Sequence, residues 1–231
     1  MKILALETSA KAVSAAVAED GKILCCGYQD TGLTHSRTLM PIVEGILKNT
    51  ELTVSQMDAI AVAAGPGSFT GIRIGVAAAK GLAFAADKPA IGVSTLAAMA
   101  RNVAHVDGLI VCAMDARRQQ IYNALFSARD GLLTRLTPDR AVSLEEVAAQ
   151  VAAMDETRIT LVGDGAALCR QYFAQAGIPC RMAPPHLVMQ NASSVALEAL
   201  ELAGKGQLQS AQDLQPVYLR PPHAVKLKDR S

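Results

Sequence analysis

An apolar run, Ala59 to Ala64, stops abruptly at Gly65-Pro66-Gly67-Ser68 and gives way to FTGIRIGVAAAKGLAFA. The run reads as a buried strand, and the Gly-Pro-Gly turn supplies the unusual and fixed φ values that end it. A helix is predicted from about residue 70 to 86, with Ser68 or Thr70 accepting a hydrogen bond from a free N–H of its first turn. Within it Gly71, Gly75, Ala79 and Ala83 recur every fourth residue and share one face. Glycine inside a helix costs about 1 kcal/mol against alanine, so a face this bare implies close approach by another backbone. The spacing leaves two candidates open, the helix's own sheet or a partner.

Nucleotide motifs fail on spacing. Gly65, Gly67 and Gly71 give G-x-G-x-x-x-G rather than the dinucleotide pattern, and Gly71-Ile72-Arg73 stands where a phosphate loop needs Gly-Lys-Ser/Thr. A glycine-rich helix entrance still favours an anion through its free N–H groups and dipole, with Glu7, Thr8, Ser68, Arg73 and Asp164 as candidate contacts.

Composition narrows the classes further. With 231 residues, 51% hydrophobic and 19% charged, the chain has material for one large or two small cores and is not disordered. A net charge of +1, no Trp and eight other aromatics argue against a stand-alone nucleic-acid binder. The opening reaches Glu7 too soon for a signal-peptide core and no apolar run has membrane-spanning length, so a cytoplasmic protein is expected. Five cysteines without C-x-x-C predict free thiols, and four scattered histidines provide no local metal motif.

Taken in order, the chain predicts strands at 3–8, 12–18 and 22–28, a helix at 36–48 that Pro41 kinks or starts, and the strand and helix already described. A strand at 89–93 and a helix capped by Ser94 or Thr95 follow. This β-β-β-α-β-α-β-α order outlines a ribonuclease-H-like half-module, the unit duplicated in actin-like ATPases and sugar kinases. Strands at 109–114, 120–128, 132–136 and 159–162, with helices at 143–154 and 166–176, repeat it in abbreviated form. The expected fold class is therefore α/β, two-lobed and actin-like, with mixed sheets flanked by helices. Residues 1–105 form the first lobe, completed by a C-terminal helical segment within 190–222, residues 106–189 form the second, and 223–231 form a basic tail. Asp164 in Gly-Asp-Gly reads either as a turn residue or as a phosphate or magnesium contact. Arg117 and Arg118 read as a surface pair or as ion-pair partners of Asp115. No acid–base dyad or nucleophile motif is present.

Several segments together resemble the TsaB (YeaZ) family: ILALETS at 3–9, THSRTLMP at 34–41, GPGSFTGIRIG at 65–75, DARRQQIY at 115–122, GDGA at 163–166 and PVYLR at 216–220. The resemblance spans nearly the whole chain. It implies a subunit of the machinery that makes N6-threonylcarbamoyladenosine at position 37 of tRNAs reading codons that begin with adenine. The partners it implies are TsaD, the transferase and paralogue, and TsaE, an ATPase. It also implies a homodimer when the subunit is alone, tRNA met through the complex, ATP or ADP used by the partner subunits, and no tightly bound cofactor. Its partner surface lies on the first lobe's helices, and His35, Leu39, Val43 and Leu47 on 36–48, with Gly71, Ile72, Gly75, Ala79 and Ala83 on 70–86, are the candidate contacts.

Aligned on the paralogue's metal-binding segment, Thr95 and Met99 stand where two histidines are expected, a poor hard-metal pair, so no catalytic residue is assigned. Glu7 likewise stands where actin-like ATPases place an aspartate. The alternatives are a glycoprotease-like metallopeptidase and an ATP-binding sugar-kinase relative. A weaker expectation has Arg220, Lys226, Lys228 and Arg230 touching tRNA phosphates.

Overall fold

Two sheets of one plan make up the computed structural model, which describes residues 1–117 and 119–220. The first contains β1 (Lys2–Glu7), β2 (Val13–Glu19), β3 (Lys22–Gln29), β4 (Ala59–Gly65) and β5 (Ala90–Ser94) in the order β3-β2-β1-β4-β5. The second contains β6 (Gly108–Asp115), β7 (Gln120–Arg129), β8 (Leu132–Arg135), β10 (Ile159–Val162) and β11 (Arg181–Met182) in the order β8-β7-β6-β10-β11, with β9 (Arg140–Ser143) on β7 beyond that path. In each sheet the first three strands pair antiparallel, and the fourth and fifth add in parallel. The second sheet thus repeats the first strand for strand, as the two-lobed actin-like class requires.

Burial explains the composition of the strands. Every residue of β4 is buried, so it shows no polar alternation, whereas the edge strand β3 is largely exposed or half-buried. Helices α1 (His35–Thr50) and α2 (Phe69–Ala85) cover one face of the first sheet, placing Leu39, Val43, Ile72 and Val76 against Leu4, Leu6 and Val62. Helix α6 (Ala192–Gly204) covers the other face through Val195, Ala196 and Ala199. Helices α4 (Leu144–Ala152) and α5 (Ala166–Gln175) pack on the far face of the second sheet. The caps follow the sequence: Ser68, Ser94 and Ser143 each accept a hydrogen bond from the first turn of their helix, and Ser143 forms a capping box with Glu146.

Four features differ from the sequence reading. Helix α1 begins at His35 and runs through Pro41 rather than starting there. Helix α3 (Thr95–Arg101) does not belong to the first lobe alone: Ala98 packs on the first sheet, while Leu96, Met99 and the following Val103 join the core of the second. The C-terminal segment drawn at 190–222 is helical only over Ala192–Gly204, because the chain turns out through Gly206 at φ +74°, whose N–H closes on the Ala203 carbonyl. Beyond it Gln209 bridges Ala90 of β5, and Leu214 is buried in the first core. Finally, β9 and β11 are strands that no expected element anticipates, since four half-buried residues and two residues carry no periodic pattern. The basic tail 223–231 lies outside the described residues. Among the described residues no helix is long and apolar enough to cross a membrane.

Candidate functional site

Parallel strands carry the site at their C-terminal ends, where the two lobes face each other. On the first lobe, the end of β1 and the turn after β4 are moulded together. A Cβ on Gly67 would lie 2.5 Å from the Ser9 carbonyl oxygen, one on Gly71 2.1 Å from that of Thr8, and one on Gly75 2.3 Å from Thr8 Oγ1. The Thr8 hydroxyl donates to the Gly71 carbonyl at 2.7 Å, and the Ser68 N–H donates to the Ser9 carbonyl at 2.7 Å. Sheet packing is therefore what requires the bare helix face. The second lobe repeats the device: Cβ atoms on Gly163 and Gly165 would meet the backbone of Ala113 to Asp115 at the end of β6.

A cleft of about 450 Å³ opens between these two turns. Ser9, Ser68 and Thr70 line it from the first lobe, and Asp115, Arg117 and Asp164 from the second. A strap of chain closes one side. The Val217 N–H donates to the Ala64 carbonyl at 2.7 Å, Tyr218 stacks on Phe69 at 4.8 Å, and Arg220 Nη1 donates to the Ala116 carbonyl at 2.7 Å. One short segment is thereby fastened to both lobes.

Two carboxyls stand at the root of the cleft. Glu7, at the end of β1, is fully buried, and the Ser9 N–H donates to its Oε1 at 2.5 Å. Burial pushes its pKa up to about 7, with the nearby Asp164 charge acting in the same direction. Asp164 is likewise raised, first by burial, although Gln190 Nε2 donates to its Oδ1 at 3.0 Å.

Of the candidate anion contacts, the cleft brings together Ser68 and Asp164. Glu7, Thr8 and Arg73 do not line it. Glu7 is sealed behind Ser9, Thr8 is spent on Gly71, and the Arg73 guanidinium lies 3.8 Å over the Phe69 ring and donates to the Tyr218 hydroxyl. Asp115 Oδ1 accepts the Arg117 backbone N–H at 2.7 Å, an intraloop turn contact rather than a side-chain ion pair, and Arg118 lies outside the described residues.

The partner contacts need a larger correction. Leu39, Val43, Gly71, Ile72, Gly75, Ala79 and Ala83 are buried in the chain's own first lobe, and Leu47 packs against that core half-buried. His35 Nε2 hydrogen-bonds the Ala10 carbonyl at 2.7 Å, which holds the β1–β2 turn. The outward face of α2 is a different stripe, Arg73, Ala77, Gly81 and Ala85, all exposed and also at four-residue spacing. Phe84 beside it is 74% exposed, and on neighbouring α1 Met40, Glu44 and Lys48 face outward. Both stripes were present in the sequence, and only the sheet's position says which one faces in. Lys11 was missed altogether, having no pattern around it, yet it lines the cleft. Thr95 and Met99 are buried in the packing of α3.

Known proteins share this architecture. Residues 29–224 match the family described as TsaD: tRNA N6-adenosine threonylcarbamoyltransferase. The Haemophilus influenzae tRNA threonylcarbamoyladenosine biosynthesis protein TsaB is 33% identical, over 95% of this chain and 94% of its own length. The Bacillus subtilis protein of the same name is 38% identical over 63% of this chain, a match that spans 64% of that protein. YeaZ from Pseudomonas aeruginosa superposes with a TM-score of 0.79 at 28% identity, covering 94% of this chain and 99% of that one.

Proposed function

The chain belongs to the TsaB (YeaZ) family of tRNA threonylcarbamoyladenosine biosynthesis proteins, and from that premise we propose that it is a non-catalytic subunit that pairs with a TsaD-type transferase and helps recruit TsaE. The outward face of α2 carries the reading. Ala77, Gly81 and Ala85 leave a shallow groove along an exposed helix, Phe84 stands beside it as an apolar anchor, and α1 runs alongside. Small residues at four-residue spacing admit a second helix at short range, and an exposed aromatic at such a seam supplies area at little entropic cost. The same surface serves a second copy of the chain when no transferase is present, so homodimer and heterodimer exclude each other. ATP or ADP is consumed by the partners, tRNA is met through the assembled complex, and this chain holds no tightly bound cofactor. The burial of Thr95 and Met99 accords with a subunit that offers no metal ligands at that segment.

Transfer of threonylcarbamoyl to tRNA by purified TsaD and TsaE is expected to depend on this protein, with a mass measurement showing the mixed pair. Gly81→Leu is the informative variant. Among the described residues nothing beyond the helix's own backbone lies within 4 Å of a Cβ at Gly81, so the fold accepts the substitution, while the added side chain fills the groove. Pairing is expected to weaken by at least about tenfold, roughly 1.4 kcal/mol, with thermal stability undiminished. Unchanged pairing would move the interface elsewhere, and transfer independent of the protein would remove the scaffold reading.

A further inference from the structure

On the reading of the outward α2 face as the pairing surface, we propose that Arg73 is its charged anchor and that the partner helix lying along α2 presents a carboxylate to it. Arg73, Ala77, Gly81 and Ala85 form one exposed stripe, so a helix seated in the groove of small residues meets Arg73 at the N-terminal end of that groove. The guanidinium there is held in place before any partner arrives. It lies 3.8 Å over the Phe69 ring and 6.0 Å from the centroid of the Tyr218 ring, and its Nε donates to the Tyr218 hydroxyl at 3.0 Å. Tyr218 is itself fixed, by its stack on Phe69 at 4.8 Å and by the bond from the neighbouring Val217 N–H to the Ala64 carbonyl.

Charge and geometry together select a carboxylate. Tyr218 takes only the Nε donor, and the terminal nitrogens, which make the two-pronged contact with a carboxylate, are left without an acceptor among the described residues. Arg73 belongs to none of the ion pairs among those residues, and α2 contains no acidic residue. Covering a cation at a helix seam without a counter-charge is costly, so a partner that closes over Arg73 has to supply one. Aromatic stacking leaves the guanidinium weakly hydrated and with little side-chain freedom left to lose, which is the profile of an interface hot spot. A phosphate fits the same fork, but the surroundings disfavour a polynucleotide. The other cation of α2, Lys80, donates to the Gln212 carbonyl at 3.0 Å, so the helix presents no basic cluster, and its exposed remainder is the seam of Ala77, Gly81 and Phe84.

The test is titration of the full-length protein, as parent, Arg73→Gln and Arg73→Lys, with a purified TsaD-type transferase at low and at high salt. Arg73→Gln is expected to weaken pairing by about tenfold or more at low salt and to flatten its salt dependence. Arg73→Lys keeps the charge and loses the fork, so it is expected to stay at least about threefold weaker than the parent. Single replacement of the transferase's Asp and Glu residues by Asn and Gln is expected to find one carboxylate whose loss weakens the parent to the same degree and adds nothing to Arg73→Gln. Arg73 is exposed, so the variants are expected to fold, and thermal unfolding checks this. Pairing unchanged in Arg73→Gln but weakened in Gly81→Leu overturns the anchor and keeps the pairing surface, whereas pairing insensitive to both removes both. Weakened pairing with an unaltered salt slope and no transferase carboxylate coupled to Arg73 reduces the residue to a clip for the strap and overturns the proposal. Intact pairing with weaker tRNA binding by the assembled complex assigns the guanidinium to a phosphate instead. A defect confined to self-association, shared by Glu44→Gln on the outward face of α1, assigns it to a second copy of the chain.

Discussion

Glu7→Gln is expected to flatten the fall in folding stability that the parent chain shows between about pH 4.5 and pH 7. A free glutamate titrates near 4.5, and burial in the fold moves Glu7 to about 7. Between those values the folded chain keeps a proton that the unfolded chain has released. Raising the pH therefore works against the fold, and the loss is complete once Glu7 ionises in both states. A displacement of this size corresponds to about 3 kcal/mol, a large fraction of the stability of an ordinary domain. Asp164 is also raised and adds slope of the same sign, so the measurement is the difference between parent and variant. Urea unfolding at intervals from pH 4.5 to pH 8 provides it, and parallel curves for the two proteins would show that Glu7 is not the titrating group.

Gly71→Ala and Gly81→Ala, ten residues apart on one helix, are expected to act in opposite directions. At Gly71 the new methyl would sit 2.1 Å from a backbone oxygen of β1, which a side-chain rotation cannot relieve, so α2 must move off the sheet. Overpacking of this kind costs about 1–3 kcal/mol, and here the hydrogen bond from Thr8 to the Gly71 carbonyl is strained as well. At Gly81 nothing among the described residues beyond the helix's own backbone lies within 4 Å, and the change removes a flexible residue from a helix interior, which stabilises by about 0.5–1 kcal/mol. Denaturant midpoints of the two variants against the parent decide the matter. A neutral Gly71→Ala would mean that the mould between Thr8 and α2 is looser than its distances indicate.

Much of this architecture could be read from the residues. The strands of the first lobe, the glycine turn, the serine caps and the doubled outline follow from periodicity and from residues with few conformational alternatives. The second stripe on α2 shows where such reading stops. Gly71-Gly75-Ala79-Ala83 and Ala77-Gly81-Ala85 are equally small and equally spaced, and an alanine-rich helix has too little hydrophobic contrast to fix its own rotation. The cleft was half legible for a similar reason. Ser68 and Asp164 sit in recognisable turns, but Lys11, Ser9 and Arg220 converge only through tertiary placement, which leaves no local trace.

The covering of the first sheet by α6 has a consequence for synthesis on the ribosome. The strands at the start of the chain expose Ile3, Ala5 and Ala61 on a face that Ala98 covers in part and residues near 195 complete. The first lobe therefore emerges early and stays unfinished until nearly all of the chain has left the exit tunnel. The six paired strands of the second sheet, contained within residues 108–182, have their partners at hand sooner. Order of emergence and order of completion are thus reversed, and the apolar underside of the first-born strands is the surface that holding chaperones have to shield in the interval.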